Sequence, residues 1–449
     1  MTFNGQGQDM LQIYHSHSLT NLKDLLILLV EREPLSDPFS DECILVQSPG
    51  MAQWLKLELA EGLGIASGLR FPLPATFLWD SFATLLPAVP ERSAYRKEAM
   101  CWKLMDILPQ HLETPEFAPL RHYLEQDETG FKRYQLCGKI ADIFDQYLVY
   151  RPDWIDAWSR GEAIGDPLGD QVWQPMLWRA LQARTEALGQ PHWHRANMME
   201  AFVAALGQAP AGQLPQRLFV FGISALPQTY LQALQALGRR IEVHLMILNP
   251  CRHYWGDIVD PAYLAKLSRK LFAGQDPAVL SGAADYLESG NPLLASMGKL
   301  GRDYLHQLQE MDLPGFDFYE LPGEQLEAPA TLLGRIQRDI LELEDRSREP
   351  EAATGSGWKT ALDPADPSLQ LHSCHSPLRE LEVLQDRLLD MLEADPGLAP
   401  RDIIVMMPDV AAYAPHIEAV FGSAPPGDAC RTRFRTGGLR RKARCCRVF

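Results

Sequence analysis

The sequence predicts an α/β protein built on a parallel sheet, and three observations carry that reading. Cys43–Val46, Leu218–Ser224 and Ile241–Leu248 are short, largely apolar runs of the kind that form strands covered on both faces. Helix-period segments follow the first two, Met51–Gly62 with apolar Met51, Trp54, Leu55, Leu57 and Leu59, and Thr229–Leu237. Finally, the strand, helix and strand between Leu218 and Leu248 have the spacing of one right-handed βαβ unit.

The stretch Glu42–Trp54 organises the rest. Its apolar run is broken by Pro49-Gly50 and passes into a helix, half of a βαβ unit. Ligands of open α/β sheets gather where strands end and helices begin, so Gln47, Ser48 and Gln53 occupy a functional position. Amides donate and accept without titrating, which suits hydrogen-bonded recognition rather than proton transfer. Capping the helix or facing solvent is the competing reading of the same residues.

Upstream, residues 1–9 are polar and patternless, and Met10 precedes the strand-like Leu11–Tyr14; Met10 is a candidate start. His15–Thr20 then leads to a helix with Leu22, Leu25, Leu26 and Leu29 on one stripe. A nucleotide-binding fold would carry its phosphate loop here, yet Gly-x-x-x-x-Gly-Lys-Ser/Thr occurs nowhere in the chain. The strand at Leu218 ends Val220-Phe221-Gly222, without the acid that would hold magnesium. Phe71–Asp80 is proline-punctuated and aromatic, an ordered crossing between layers; Trp79 suits the core, or a base stacked beside the Gln47 turn.

From about Arg92 to Ala205 the period is helical. Cys101, Leu104, Met105 and Leu108 form one stripe, and Leu136, Ile140, Ile143, Phe144 and Tyr147 another. Asp142, Asp145 and Gln146 lie within about one turn beside the second stripe, with Arg151 just after it. No Glu-x-Lys follows to complete a nuclease constellation, and a solvated face is the default for such acids. The same acids with Arg151 can read base edges, carboxylate to amino group and guanidinium to guanine. His192-Trp-His-Arg195 suits a base or phosphate contact, and equally a buried Trp under a surface Arg.

Gly274–Ser289 and Leu321–Gly357 read as loops and a linker. A second α/β pattern opens with a strand from Leu369 to Cys374, a helix from Pro377 to Glu393 and a strand over Asp402–Met407. The expected organisation is therefore an extension (1–9), a first α/β domain (10–91 and 206–320) with a helical insertion (92–205), a linker (321–368), the truncated start of a second α/β domain (369–425) and a basic tail (426–449). From Ala429 onward there are eight basic residues and no acid, and no helical or strand period, so 426–449 is read as out-of-frame translation; a phosphate-binding arm is the alternative.

Composition narrows the function classes. The 449 residues suit about three domains. A net charge of −16 argues against general adhesion to nucleic acid but leaves room for a local site. Leu25–Val30 is too short to span a bilayer, no signal segment opens the chain, and the cysteines form no Cys-x-x-Cys pair, which together point to the cytoplasm and no membrane. His15/His17, His192/His194 and His372/Cys374/His375 lack a partner pair at zinc-finger spacing, so no metal site is expected.

Tyr14-His-Ser, Ile44-Leu-Val-Gln-Ser48, Gly50-Met-Ala-Gln-Trp54, Phe71-Pro-Leu-Pro-Ala75, Phe144-Asp-Gln-Tyr-Leu-Val-Tyr-Arg-Pro-Asp-Trp154, Trp193-His-Arg-Ala-Asn197 and Asn291-Pro-Leu-Leu-Ala-Ser296 resemble the RecC family, the gamma chain of bacterial exodeoxyribonuclease V. The resemblance runs from Met10 to about Pro425 and covers the amino-terminal part of a longer family chain. It implies a helicase-like (RecA-like) fold without ATPase motifs, in a heterotrimer whose RecB-like and RecD-like partners use ATP and magnesium. This chain would have no catalytic site and bind no cofactor, and would contact single- and double-stranded DNA. The resemblance further implies that the strand is scanned for the Chi sequence, with the reading positions falling on Gln47, Gln53, Leu73, Trp79, Asp142, Ile143, Asp145, Gln146, Arg151 and Arg195. Two positions depart from the family pattern: Pro49 replaces a threonine, removing a hydroxyl and a backbone donor, and Ile143 replaces a leucine. An active motor or nuclease, and a scaffold that never touches DNA, are the rival classes.

Overall fold

The computed structural model describes residues 10–422 apart from 87–88, 91, 163, 165–170, 209, 211, 259–289, 320–330, 347–360 and 362. The extension 1–9, the tail 426–449 and most of both loop-rich stretches therefore lie outside the described residues. The chain divides into two compact units, Met1–Ala328 with Ile336–Lys359, and Pro329–Arg335 with Thr360–Phe449.

In the first unit, β1 (Leu11–Ser16), β2 (Glu42–Val46), β3 (Leu69–Arg70), β4 (Arg217–Phe221), β5 (Glu242–Leu248) and β6 (Gly315–Asp317) form a sheet in the order β3-β2-β4-β5-β1-β6. Every pairing is parallel. Every residue of β2 and β4 is buried, as expected for strands covered on both faces. Alternate side chains go to opposite cores. Ile44, Val46, Phe219, Phe221 and Met246 meet Leu22, Leu25 and Leu26 of α1 (Leu19–Arg32) and Leu55 and Leu59 of α2 (Pro49–Leu63). Cys43, Leu45, Leu218, Val220, Val243 and Leu245 meet α3 (Pro74–Leu85) and α10 (Gln228–Gly238) on the other face.

Chain direction reverses between β2 and β4. From β2 the chain leaves through α2 toward β3, whereas from β4 it leaves through α10, on the opposite face, toward β5. In open α/β sheets such a reversal is where ligands bind, outside the carboxyl ends of the strands, and Gln47 directly follows β2 there and is exposed.

Between β3 and β4 come α4 (Lys97–His111), α5 (Ala118–Leu124), α6 (Phe131–Tyr150), α7 (Pro152–Arg160), α8 (Trp173–Ala187) and α9 (Arg195–Leu206). They enclose a separate core around Phe117, Phe144, Trp158 and Trp178. In α9, Ala196 belongs to that core while Met198, Phe202 and Leu206 belong to the sheet's, so this helix fastens the helical part to the sheet.

In the second unit, the helices Pro377–Ala394 and Val410–Phe421 pack through Leu381, Leu388, Ile417 and Phe421. The strands expected at Leu369–Cys374 and Asp402–Met407 are not formed: Asp402 ends a 3-10 turn, and only Val405 makes an isolated bridge. Ile403, Val405 and Met407 alternate with exposed Ile404 and Met406, the period of a strand. No neighbouring strand completes their ladder among the described residues, and an apolar period without a partner gives extended chain rather than sheet. No helix among the described residues is long and apolar enough to cross a membrane.

Candidate nucleic-acid interface

The carboxyl edge of the sheet presents three of the expected residues. After β2, Gln47 is exposed, and Ser48 caps α2 by accepting from the Met51 amide at 3.2 Å. Pro49 occupies the first helical position, where an amide would have no intrahelical acceptor, so its missing donor leaves the helix intact. Gln53 is exposed on the same helix. The Val46 amide donates to the Pro72 carbonyl at 3.3 Å, which carries the chain alongside β2 and brings Leu73, the N-cap residue of α3, to this edge.

Further along α3, Trp79 opens onto a cavity of about 580 Å³. Its walls include Trp79, Asp80, Arg92, Arg96, Asp145 and Arg195. Trp79 lies six residue steps beyond the cap residue Leu73, a rise of about 9 Å, so the sheet edge and the cavity form neighbouring stations along one helix. The Trp79 indole donates to the Pro90 carbonyl at 3.2 Å, fixing the ring as a half-buried wall.

The acids of α6 are already engaged. Arg195 Nη1 lies 3.0 Å from Asp145 Oδ1, and Lys97 Nζ lies 3.9 Å from Asp145 Oδ2 while also pairing closely with Asp142 Oδ1. Gln146 Nε2 donates to Asp142 Oδ2 at 3.2 Å. The Lys97 hydrogen bond holds the Asp142 carboxyl below its usual range, and the same bond raises the lysine. No cluster of three or more metal-ligating groups occurs among the described residues.

The structure thus joins Trp79, Asp145 and Arg195 in one cavity, links Asp142 and its partner Gln146 to Asp145 through the ion pairs of Lys97, and gathers Gln47, Gln53 and Leu73 at the sheet edge. Ile143 and Arg151 belong to neither group. Ile143 is half-buried on α6, and Arg151, at the junction of α6 and α7, lies over the Trp154 ring at 4.9 Å. Of the tempting His192-Trp-His turn, His194 faces inward and caps α9 by accepting from the Asn197 amide. Burial, with His192 nearby, pushes its imidazole down to about 3. Sequence reasoning missed Lys97, Arg92 and Arg96; Lys97 meets its acids across 45 positions of sequence, with no local signal.

Where a motor would grip phosphate, the turn after β1 is satisfied by itself: Ser16 Oγ accepts from the Ser18 amide and Ser18 Oγ from the Asn21 amide. Where a motor would hold magnesium, Gly222 sits in the left-handed region at φ +62°, with Leu19 Cδ2 3.1 Å from the place a Cβ would take. Fold and site together define a helicase-like α/β protein whose phosphate cradle and magnesium acid are replaced by hydroxyls, glycine and leucine.

The family model "RecC, N-terminal domain" matches residues 11–343, and the chain belongs to this family. It is 52% identical to the RecBCD enzyme subunit RecC of Escherichia coli over 93% of this chain and 38% of that protein. The corresponding Haemophilus influenzae subunit is 40% identical over 92% of this chain and 39% of its own length, and that of Mycolicibacterium smegmatis 32% identical over 92% and 34%. The chain therefore spans less than two fifths of the length of these curated relatives.

Proposed function

We propose that this chain is the DNA-reading portion of a RecBCD-type enzyme subunit, acting in the cytoplasm in recombinational repair of double-strand breaks. It guides single-stranded DNA and recognises Chi, while RecB-like and RecD-like partners supply ATP hydrolysis, magnesium and nuclease chemistry. The convergence of Trp79, Asp145 and Arg195 on one cavity, joined along α3 to the glutamines of the switch point, is the observation that carries this reading. An indole wall stacks bases of any identity, whereas a carboxylate and a guanidinium discriminate their edges. The glutamines offer paired donors and acceptors beside them.

The test uses a complete subunit assembled with its partners, measuring the ratio of response on Chi-bearing to Chi-less DNA. Gln53→Ala and Asp145→Ala should each lower that ratio by the equivalent of ~1–3 kcal/mol, the worth of a base-edge contact. Unchanged ratios in both variants, with the complex intact, would favour a scaffold without DNA contact.

A further inference from the structure

The two aspartates of α6 that the proposed reading turns toward bases are organised by a lysine on another helix. Lys97 opens α4, an unfavourable place for a cation, because the amino end of a helix carries partial positive charge. Its position is explained from outside α4: Nζ lies against Asp142 Oδ1 and 3.9 Å from Asp145 Oδ2. Arg195 takes the other oxygen of Asp145 at 3.0 Å, and Gln146 the other oxygen of Asp142 at 3.2 Å. All four carboxylate oxygens thus have an assigned protein partner, in the chain Gln146, Asp142, Lys97, Asp145, Arg195. Each oxygen keeps a further lone pair for an incoming donor, since an ionised carboxylate has about four acceptor positions. Formally the four charges cancel; without Lys97 they sum to one negative charge, at a site meant for a polyanion.

We infer that Lys97 is a positioning residue for DNA recognition: it fixes the orientation of the Asp142 and Asp145 carboxylates and cancels their repulsion toward the strand. This rests on the proposed reading of the cavity and adds to it a residue on a different helix. Lys97 is half-exposed, with 49% of its side chain accessible, so its loss should shift thermal unfolding only slightly.

The experiment compares Lys97→Met, Lys97→Arg, Asp145→Ala and the Lys97→Met/Asp145→Ala double variant in the assembled enzyme, by the ratio of response on Chi-bearing to Chi-less DNA and by thermal unfolding. Lys97→Met should lower the ratio about tenfold, the size of one base contact, and Lys97→Arg should restore most of it. The double variant should lose less than the sum of the two single losses, because part of the lysine's effect runs through the Asp145 carboxylate and the rest through Asp142. A wild-type ratio for Lys97→Met beside a lowered ratio for Asp145→Ala would overturn the role of Lys97 and leave the cavity reading standing. Wild-type ratios for both would overturn the cavity reading and this inference with it. Additive losses in the double variant, or a loss in Lys97→Met matched by a large drop in unfolding temperature and not rescued by arginine, would make the lysine structural and likewise overturn it.

Discussion

Glu42 and Arg217 begin β2 and β4, and their side chains form an ion pair buried beneath the sheet's amino-terminal edge, with Arg217 also over the Phe219 ring at 4.9 Å. Glu42→Gln would leave the guanidinium buried beside a neutral amide and should destabilise the fold by about 3 kcal/mol, read from the urea midpoint. Two buried imidazoles set the acid limit. His244, stacked on Phe219 and 3.2 Å from the Tyr14 hydroxyl, is pushed down to about 4 by burial and then by Arg217; His194 is pushed down to about 3. Both are depressed, so the unfolded chain takes up protons that the fold refuses once pH drops below about 6.5. Stability should be full above that value and fall steadily as pH descends toward the folded values, each histidine contributing up to roughly 2 kcal/mol of loss by pH 5. A urea midpoint equal at pH 7 and pH 5 would contradict this. At this scale sequence reading is weakest: Gln47 was placed by its own strand and turn, whereas Glu42 meets Arg217 across 175 positions, which no local pattern records.

Among the elements, the start of α2 is where local chemistry is easiest to check. Ser48→Ala removes the oxygen that accepts from the Met51 amide and should cost about 1 kcal/mol, whereas Pro49→Thr should change stability by a few tenths, because the first helical position needs no donor. A large loss for Pro49→Thr in thermal unfolding would mean that the ring itself is packed into the turn. The apolar runs at Cys43, Leu218 and Ile241 were legible as strands because burial on both faces leaves no polar alternation to confuse. The two-residue β3 and three-residue β6 were not, since each is defined by its neighbour, Cys43 for Arg70 and Tyr14 for Phe316. The converse held at Asp402–Met407, where the strand period is present but no neighbouring strand is formed among the described residues.

For the whole molecule, a net charge of −16 disfavours broad adhesion to nucleic acid, so the contact with DNA proposed above would be local. The α/β class could be read from three apolar runs and their spacing, and the missing phosphate loop and magnesium acid from motifs alone. The cavity could not, because it brings α3 and the start of α4, which are near in sequence, together with α6 and α9, which are far from them. With hydroxyls at the turn after β1 and Gly222 after β4, the chain alone should hydrolyse no ATP, and DNA-stimulated turnover persisting after removal of contaminating helicases would contradict that. The most direct test of DNA reading by this cavity is photocrosslinking of single-stranded DNA bearing 5-iodouracil within Chi to the complete subunit in its assembled enzyme, mapped by mass spectrometry. Adducts should fall on the α3 peptide carrying Trp79; adducts confined to other parts of the complex, with none on α3, α6 or the start of α9, would contradict the account.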